Sequence, residues 1–415
     1  MPSHTTHNTP ALRFPGYTGV WEQHKISDIA TVIGGGTPAT THNEYWNGTI
    51  DWYAPAELTN QRYVSHSQRQ ITQLGLENSS AQLLPAHKTV LFTSRAGIGK
   101  MAILQHEATT NQGFQSLVLH DDIDPYFIYS MNTTLKREAE KIAAGSTFLE
   151  ISGSHLANIH ITIPGLAEQQ KIGSFFSKLD DVIGLHQRQT QKLTKLKQGL
   201  LHEMFPREGE SVPRLRFPGF TDTWKQQKLG DIGKTYTGLS GKSKTDFGHG
   251  KAHFVTYMNV YSHPVADINQ VDSCEIDSKQ HEVQYGDVFF TTSSETPDEV
   301  GMSSVWLGNT ENTYLNSFCF GYRPDQQMDP YFMAYILRSP TLRDQFILLA
   351  QGISRYNISK NKAMDIKLSL PSLSEQKQIG SFFRTLDACI HLHEQYTMKL
   401  THLKKGLLQK MFPQD

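Results

Sequence analysis

Two long stretches of the chain carry mostly apolar residues at alternating spacings of four and three. The first stripe is Ile172, Phe176, Leu179, Ile183, His186, Thr190 and Leu193, and the second is Ile379, Phe383, Leu386, Ile390, His393, Thr397 and Leu400. This spacing predicts amphipathic helices over 168–206 and 375–413, each about 50 Å long at about 1.5 Å per residue. One apolar stripe of that length requires a partner, so we expect the two helices to pair. The pairing could run in either direction, and we favour the antiparallel one.

Both predicted helices also carry start and stop signals. Ser372 with Glu375 three residues later fits a capping box, and Gly165 with Glu168 is a weaker counterpart. Pro206 and the equivalent Pro413 follow the last turns. The two stretches, EQQKIGSFF and EQKQIGSFF at their starts, are therefore copies of one element.

A second repeat shows that the whole chain is duplicated. LRFPGYTGVW, residues 12–21, returns as LRFPGFTDTW, residues 215–224, so the repeat unit is about 205 residues long. That length fits two tandem domains and is far too long for a solenoid repeat. After each tryptophan, KISDI (25–29) or KLGDI (228–232) is expected to form a short strand or docking segment.

The bodies of the two copies have diverged in sequence but predict a similar order of elements. Short strands are expected at IDWYAP, TVLFTSR and MAILQ in the first copy, and at AHFVTYMNV, DVFFTTSS, SVWLG and FCFGYRP in the second. DPYFIYSM (124–131) and DPYFMAYIL (329–337) each predict a helix with an aspartate cap and proline at its first position. GSTFLEIS (145–152) and GISRYNIS (352–359) come next, followed by the strands IHITIP and IKLSLP. Each copy thus predicts a mixed α/β domain followed by a long helix.

Composition limits the classes of function. The formal net charge is −1, whereas a protein that binds nucleic acid alone through many phosphates is usually basic. This balance argues against DNA binding, unless a partner supplies some of the positive charge. Cys274, Cys319 and Cys389 form neither a CxxC nor a Cys/His cluster, so we expect reduced thiols and no structural zinc. The start has no signal-peptide layout and no apolar run reaches membrane length, so we expect a soluble, cytoplasmic protein.

Motifs that resemble catalytic signatures do not fit them closely. Gly97–Lys100 is similar to a phosphate-binding loop, but Ser94 replaces the first glycine and Met101 replaces the serine or threonine. The DPYF pair lacks the second proline of amino-methyltransferases and has no accompanying cofactor motif. His186 and His393 lie in the stripe, where a polar layer that fixes register is favoured over a metal site. We expect no cofactor, no metal and no catalytic residue.

Side chains that could recognise DNA form one set in each copy. Arginine, lysine, asparagine, glutamine, serine and threonine match the donor and acceptor pattern of base edges, and many such residues contact phosphate instead. The first set is Arg62, Gln68, Arg69, Thr93, Ser94, Arg95, Lys100, Asn111, Gln112 and Gln115. The second set is Lys242, Lys244, Lys251, Thr292, Ser293, Ser294, Asn316, Arg355, Tyr356, Asn357, Lys360 and Lys362. The acidic loop Glu295–Glu299 is awkward near phosphate, although a carboxylate can accept from cytosine N4.

Over nearly its whole length the chain resembles the specificity subunit of type I restriction-modification systems. The resemblance is carried by the EQxxI openings, by GGTPATTHNEYWNGTIDWYAP, LLPAHKTVLFTSRAGIGK and NQGFQSL, and by YGDVFFTTSSETPDEVG. It implies an α+β fold with two target-recognition domains in pseudo-twofold tandem and an antiparallel coiled coil that acts as a spacer. It also implies a bipartite double-stranded DNA target, two methyltransferase subunits that dock on the chain, and restriction subunits that join them.

The domain boundaries expected on this basis are an N-terminal segment at 1–16, a recognition domain at 17–164, a spacer helix at 165–206, a second recognition domain at 207–371 and a second spacer helix at 372–415. Two other classes stay open. A protein-only coiled-coil adaptor would suit the near-neutral charge but does not explain divergent domains on a shared frame. A stand-alone DNA methyltransferase or nuclease would need a cofactor or metal motif.

Overall fold

A computed structural model describes residues 9–59, 61–143 and 149–413. The chain divides into two compact units. Unit 1 comprises residues 1–186 and 396–415, and unit 2 comprises residues 187–395. Each unit therefore contains one α/β domain, part of its own long helix and part of the long helix of the other copy.

The α/β part of unit 1 contains a five-stranded sheet, a three-stranded sheet and a two-stranded ribbon. Strand order is β2-β9-β6-β7-β4 in the largest sheet, β5-β3-β8 in the second and β1-β10 in the ribbon. The elements are β1 (Glu22–Lys25), α1 (Ile26–Ile29), β2 (Ala30–Gly34), β3 (Trp46–Tyr53), β4 (Tyr63–Val64), β5 (Arg69–Ile71), α2 (Gln73–Glu77), β6 (Thr89–Phe92), β7 (Met101–Leu104), β8 (Ala108–Thr110), β9 (Gln115–Leu119), α3 (Pro125–Ser130), α4 (Asn132–Ile142), α5 (Gly153–Ala157), β10 (His160–Ile163) and the long helix α6 (Leu166–Glu203).

Unit 2 repeats this topology with small changes. Its sheets are β12-β19-β15-β17, β14-β13-β18 and β11-β21, and a short pair β16-β20 is added. The elements are β11 (Lys225–Lys228), β12 (Gly233–Thr237), β13 (Phe247–Val255), α7 (Tyr257–Ser262), β14 (Val271–Cys274), β15 (Val288–Thr291), β16 (Ser293–Ser294), β17 (Ser303–Val305), β18 (Thr313–Leu315), β19 (Cys319–Pro324), α8 (Pro330–Ile336), α9 (Pro340–Leu348), β20 (Tyr356–Asn357), α10 (Lys360–Met364), β21 (Lys367–Leu370) and the long helix α11 (Leu373–Met411). Strand β6 lies between β9 and β7 in unit 1, and β15 lies between β19 and β17 in unit 2. The two strands therefore occupy equivalent positions.

Most predicted elements are confirmed and three are corrected. AHFVTYMNV is a strand only as far as Val255, because Thr256 caps a helix there by accepting a hydrogen bond from the Asn259 amide. KISDI and KLGDI, expected as short strands or docking segments, form single helical turns in which Ile26 and Leu229 are fully buried, and the strand is the segment just before each of them. Ser372 caps the Glu375 amide, but the Glu375 carboxylate bonds to Arg216 and so does not close the capping box. Of GSTFLEIS, residues 145–148 lie outside the described residues.

The long helices pair antiparallel, as predicted. In unit 1 the first turns of α6 lie beside the last turns of α11, where Lys404 Nζ is 2.7 Å from Asp180 Oδ1. In unit 2 the relation is reversed, and Lys197 at the end of α6 pairs with Asp387 near the start of α11. The apolar stripe is buried at Ile172, Phe176 and Ile183 and at Ile379, Phe383 and Leu386. Each unit thus builds its core on both helices.

The repeated LRFPG segment joins the two helices within each unit. In unit 1 the Leu12 amide donates to Lys410 O at the end of α11, while the Arg13 guanidinium makes two bonds of 2.8 and 2.6 Å to Glu168 at the start of α6. In unit 2 the Leu215 amide donates to Glu203 O, and Arg216 bonds to Glu375 at 2.6 and 2.8 Å. The duplicated motif is therefore a clamp on an antiparallel helix pair.

The glutamine and glycine of the EQxxIG openings attach each long helix to its α/β domain. Gln169 donates to Pro164 O at the end of β10 and accepts from the Asp124 amide. A Cβ on Gly173 would lie 2.2 Å from Asp124 Oδ1, so the helix approaches the N-terminus of α3 too closely for any side chain there. Gln376 makes the same two bonds in unit 2. These contacts fix the α/β domain against its helix.

Candidate nucleic-acid interfaces

Three turns of unit 1 meet at one end of the five-stranded sheet. The end of β2 approaches the β8–β9 turn, where the Gly36 amide donates to Thr110 O at 2.8 Å. The Ser94 amide, just after β6, donates to Gly113 O in the same turn at 2.8 Å, and Ser94 O accepts from Ile151. The β6–β7 turn, the β8–β9 turn and the end of β2 therefore form one connected surface, which we call turn cluster 1.

Unit 2 builds the equivalent surface, turn cluster 2, with the same backbone bonds. The Thr292 amide donates to Phe318 O at 2.8 Å, and Thr292 O accepts from Ile358 at 3.0 Å. The Leu239 amide donates to Leu315 O at 2.7 Å. Position for position, Ser94 corresponds to Thr292 and Gly113 to Phe318, so the backbone frame is shared although the side chains differ.

Glycine and asparagine make this frame possible. Asn111 and Asn316 each accept, through the side-chain oxygen at 2.8 Å, a bond from the amide two residues later. A Cβ on Gly35 would lie 1.8 Å from Asn111 O, and one on Gly238 would lie 2.1 Å from Asn316 O. Only glycine permits such an approach of two backbones. The Asn111 and Asn316 side chains are thus engaged in shaping their turns.

Turn cluster 1 brings together part of the first predicted set. Thr93 and Ser94 are fully buried, and the Thr93 hydroxyl accepts from the Lys100 amide and donates to Gly97 O, which folds the turn. Arg95 at the tip is half-buried and Lys100 is exposed. Gln112 accepts from the Thr37 hydroxyl, and Gln115 lies against Gly34 and Gly153.

The remaining members of the first set lie elsewhere. Arg62 bonds to Tyr126 Oη, Ser177 O and Asp181 at 3.2, 3.2 and 2.8 Å, so it ties the α/β domain to α6. Gln68 and Arg69 are exposed beside the three-stranded sheet, and the Arg69 guanidinium lies 3.7 Å from the ring centroid of Trp46. That stacking fixes a cation at the surface.

Turn cluster 2 brings together the larger part of the second set. Ser293 and Ser294 form β16 and pair with Asn357 and Tyr356 of β20. Thr292 and Asn316 lie in the adjoining turns, and the Arg355 guanidinium carbon lies 6.0 Å from the ring centroid of Phe318. Lys360 and Lys362 follow in α10, half-buried and exposed respectively.

Lys242, Lys244 and Lys251 are not in turn cluster 2. Lys251 lies in β13 of the three-stranded sheet, and Lys242 and Lys244 precede that strand. Lys242 pairs with Asp277 at 2.8 Å, and this contact raises the pKa of Lys242 and lowers that of Asp277. The positive charge of Lys242 is therefore balanced by the Asp277 carboxylate, whereas Lys244 and Lys251 are exposed.

Sequence reasoning missed several residues of these surfaces. In turn cluster 1 the Thr37 hydroxyl donates a hydrogen bond to the Gln112 side chain. Beside turn cluster 2, a pocket is lined in part by Tyr257, Tyr261 and Phe318. Tyr257 was hidden because its segment was predicted as strand. The recurrence of a glycine beside β2 and β12 was the available signal for where the turns meet.

The described residues include no candidate metal site, and two sequence features that resemble functional sites have structural explanations. Among these residues there is no group of three or more His, Cys, Asp or Glu side chains that could hold a metal ion. Gly97–Lys100 connects two strands, and a phosphate loop would instead lead from a strand into a helix. The His186 ring stacks on Tyr396 with centroids 5.2 Å apart, which fits a polar layer between helices. Within the described ranges no helix has the length and apolarity needed to cross a membrane.

Comparison with known proteins identifies the class. The model of the family described as "Type I restriction modification DNA specificity domain" matches twice, at residues 19–195 and 221–402. The chain therefore belongs to the family of type I restriction-modification DNA specificity subunits. Such subunits are non-catalytic, since catalysis lies in other subunits of the system.

Individual relatives agree with this assignment. The MjaIX type I restriction enzyme specificity subunit of Methanocaldococcus jannaschii is 34% identical over 236 residues, which are 54% of this chain and 54% of that protein. This match thus spans about half of the relative. A putative type I restriction enzyme MjaX specificity subunit of the same organism is 23% identical across 94% of this chain and 92% of its own length. The crystal structure of a type I restriction-modification S subunit from M. genitalium superposes with a TM-score of 0.60 at 15% identity, covering 98% of this chain and 100% of that one, which shows a shared fold.

Proposed function

We propose that the chain is the DNA-recognition subunit of a type I restriction-modification complex and that each unit recognises one half of a bipartite target. Turn cluster 1 would contact one half-site and turn cluster 2 the other. The recognition domains would be residues 17–164 and 207–371, with 165–206 and 372–415 as the helical spacer. The chain would work in the cytoplasm, where the DNA is.

One observation carries this proposal. The two turn clusters share their backbone hydrogen bonds and their glycine–asparagine contacts, yet the side chains they present differ. Arg95 of the first corresponds to Ser293 of the second, and Gly113 corresponds to Phe318. A fixed frame with exchangeable side chains is what two different DNA sequences require, because base edges are recognised by side-chain type.

The long helices offer matching surfaces to a partner that is present twice. Leu185 of α6 and its equivalent Leu392 of α11 are 48% and 51% exposed, and Leu196 and Leu403 are 49% and 53% exposed. Because the same apolar side chains are exposed at the same positions of both copies, one partner surface would fit either copy in the same way. We infer that two methyltransferase subunits dock here and that restriction subunits join the assembly through them. A partner that supplies cations would also reconcile the net charge of −1 with DNA binding.

The test is to map modified adenines in the genome of cells that hold the methyltransferase partner, with and without this chain. The expected result is one gapped motif that appears only with the chain. Exchanging residues 17–164 for the same region of a relative should change one half of the motif and leave the other intact. A motif that is unaffected by the chain, or one that changes in both halves after the exchange, would contradict the proposal.

A further inference from the structure

An open pocket of about 400 Å³ lies beside turn cluster 2, lined by three aromatic rings and Met258, by two serines, and by Glu295, Glu299 and Arg355. Tyr257 and Tyr261 stand one helical turn apart on α7 with their rings nearly parallel, 10° apart. Met258 and Phe318 at the rim are 54% and 55% exposed. The volume falls within the range of about 300–1,000 Å³ that is usual for small-ligand sites.

A fixed carboxylate lies in this pocket. Glu299 Oε1 accepts from the Tyr261 hydroxyl at 2.9 Å, and Glu299 Oε2 accepts from the Ser294 hydroxyl at 2.6 Å. These two bonds lower the pKa of Glu299, so the group stays ionised at neutral pH. Each oxygen of a carboxylate has two lone pairs, so each keeps one for a further donor. Glu299 is therefore an oriented acceptor that cannot donate.

Among its described residues, unit 1 has no equivalent of this pocket wall. The backbone bond from Asn111 to Tyr53 O corresponds to the bond from Asn316 to Val255 O, which aligns Pro55 with Tyr257 and Ala56 with Met258. Gly113 stands where unit 2 has Phe318, and a Cβ there would lie 2.6 Å from the Pro55 ring. The aromatic pocket is thus one of the features by which the two units differ on a shared frame.

We propose that Glu299 selects a base with an exocyclic amino group in the half-site recognised by unit 2. Cytosine N4 and adenine N6 both present such a donor in the major groove, whereas the O6 of guanine and the O4 of thymine are acceptors that a carboxylate repels. Phe318 and Met258 would cover the contact and exclude water from it. This inference rests on the proposed function.

The test uses the assembled methyltransferase complex and duplexes that carry the mapped target. At each position of the second half-site, the cytosine or adenine is replaced by 2-pyrimidinone or purine, which lack the amino group. At one position, removal of the amino group should weaken binding by the wild-type complex about 5- to 150-fold, the discrimination expected of a good base contact. If the 2-pyrimidinone duplex shows the loss, the recognised base is cytosine. If the purine duplex shows it, the recognised base is adenine.

Glu299→Met then identifies the acceptor. Methionine has a similar length but no oxygen that accepts from an amino group, so the variant should bind the amino and amino-deleted duplexes within about twofold of each other and should discriminate less strongly against guanine or thymine at that position. Glu295→Met removes the other carboxylate that lines the pocket and should keep the wild-type preference. The half-site of unit 1 should be unaffected in both variants.

Two outcomes would overturn the inference. If the preference for the amino group survives in Glu299→Met, or is lost in Glu295→Met instead, Glu299 is not the acceptor. If Glu299→Met does not fold, the test uses the duplex series with the wild-type complex and with Tyr261→Phe, which frees one lone pair of Glu299. A series without any position sensitive to the amino group means that there is no such contact. A wild-type complex without any sequence preference would instead defeat the proposed function itself.

Discussion

We propose Arg95 as the residue of turn cluster 1 that contacts a base. It lies at the tip of the β6–β7 turn, half-buried, and among the described residues it has no hydrogen-bond or ion-pair partner. We expect Arg95→Ala to weaken recognition of only the half-site assigned to unit 1. If Arg95 makes a bidentate base contact, the loss should be about 1–3 kcal/mol. Binding to duplexes with each half-site scrambled in turn measures this.

Arg62→Ala provides the contrast. Because Arg62 bonds to Tyr126, Ser177 and Asp181 within unit 1, its loss should lower the free energy of unfolding without changing base preference. A uniform loss of affinity on every sequence in Arg95→Ala would mark Arg95 as a phosphate contact. No loss would remove it from the interface.

Residue type alone could not separate these two arginines. The sequence shows a cation in a polar segment, but the partner of Arg62 lies 119 residues away on α6. Thr93, Ser94 and Asn111 have the right chemistry for DNA, yet burial or a turn bond occupies them. Their roles depend on long-range backbone pairing, which a local pattern does not contain. The individual DNA contacts of both sets remain predictions.

At the scale of elements, the duplicated motif correctly predicted the two long helices but not the contacts that attach them to the α/β domains. The heptad spacing indicated two paired helices because burial of one face follows directly from periodicity. It did not indicate that Gln169 and Gln376 tie the helices to the strand ends, since these bonds use positions outside the stripe. The helix α7 was missed because its tyrosines and valine favour strand, and the Thr256 cap outweighs that preference.

Two glycines of α11 should respond in opposite ways to alanine. A Cβ on Gly380 would lie 2.3 Å from Asp329 Oδ1 and 2.7 Å from the Phe332 amide, so Gly380→Ala should force α8 away and destabilise unit 2. A Cβ on Gly406 would have no atom within 4 Å apart from the neighbouring backbone of its own helix. Gly406→Ala should therefore stabilise the protein by about 0.5–1 kcal/mol, through helix propensity.

Chemical denaturation of both variants checks this, and Gly173→Ala and Gly199→Ala repeat the comparison in α6. A Cβ on Gly173 would lie 2.2 Å from Asp124 Oδ1, whereas Gly199 is open. Equal effects of Gly380→Ala and Gly406→Ala would show that the close approach of helix and domain is not needed.

The clamp on the helix pair can be tested through its ion pair. Arg216 and Glu375 have side chains only 15% and 1% exposed, so Arg216→Ala would leave a buried carboxylate without its partner. We expect a loss of about 2–4 kcal/mol in the free energy of unfolding, toward the low end for a pair that is partly accessible.

The double variant Arg216→Ala/Glu375→Gln should recover part of that loss, because it removes the unpaired charge. Denaturant unfolding of the single and double variants measures the difference. If the double variant is as unstable as Arg216→Ala, the loss comes from packing of the arginine stem and the buried charge contributes little.

At the scale of the whole molecule, duplication accounts for the division of labour. Contacts that hold each unit together are repeated almost atom for atom: Phe14 on Phe175 and Phe217 on Phe382 have ring centroids 5.6 and 5.7 Å apart. In the two turn clusters the backbone bonds are repeated as well, but the side chains that they present differ.

The last prediction concerns the length of the helix pair. Heptads inserted after Arg188 and after Gln395 would lie midway between Asp180 and Lys197 in α6, and midway between Asp387 and Lys404 in α11. Equal insertions keep the apolar stripe in register and lengthen the pair by about 10 Å. At about 3.4 Å per base pair, the gap between the half-sites should grow by about three base pairs while the half-sites stay the same.

Mapping of methylated sites measures the gap, and a heptad inserted in α6 alone is the control. That variant leaves seven residues unmatched and should lose stability, because its stripe no longer faces a partner of equal length. In the double insertion the domains would also have to turn around the DNA, so activity should fall even when the geometry is right. If the helix pair determines the gap, it cannot lengthen without moving the half-sites apart. An active double insertion with an unaltered gap would therefore show that the loops, and not the helices, determine the spacing.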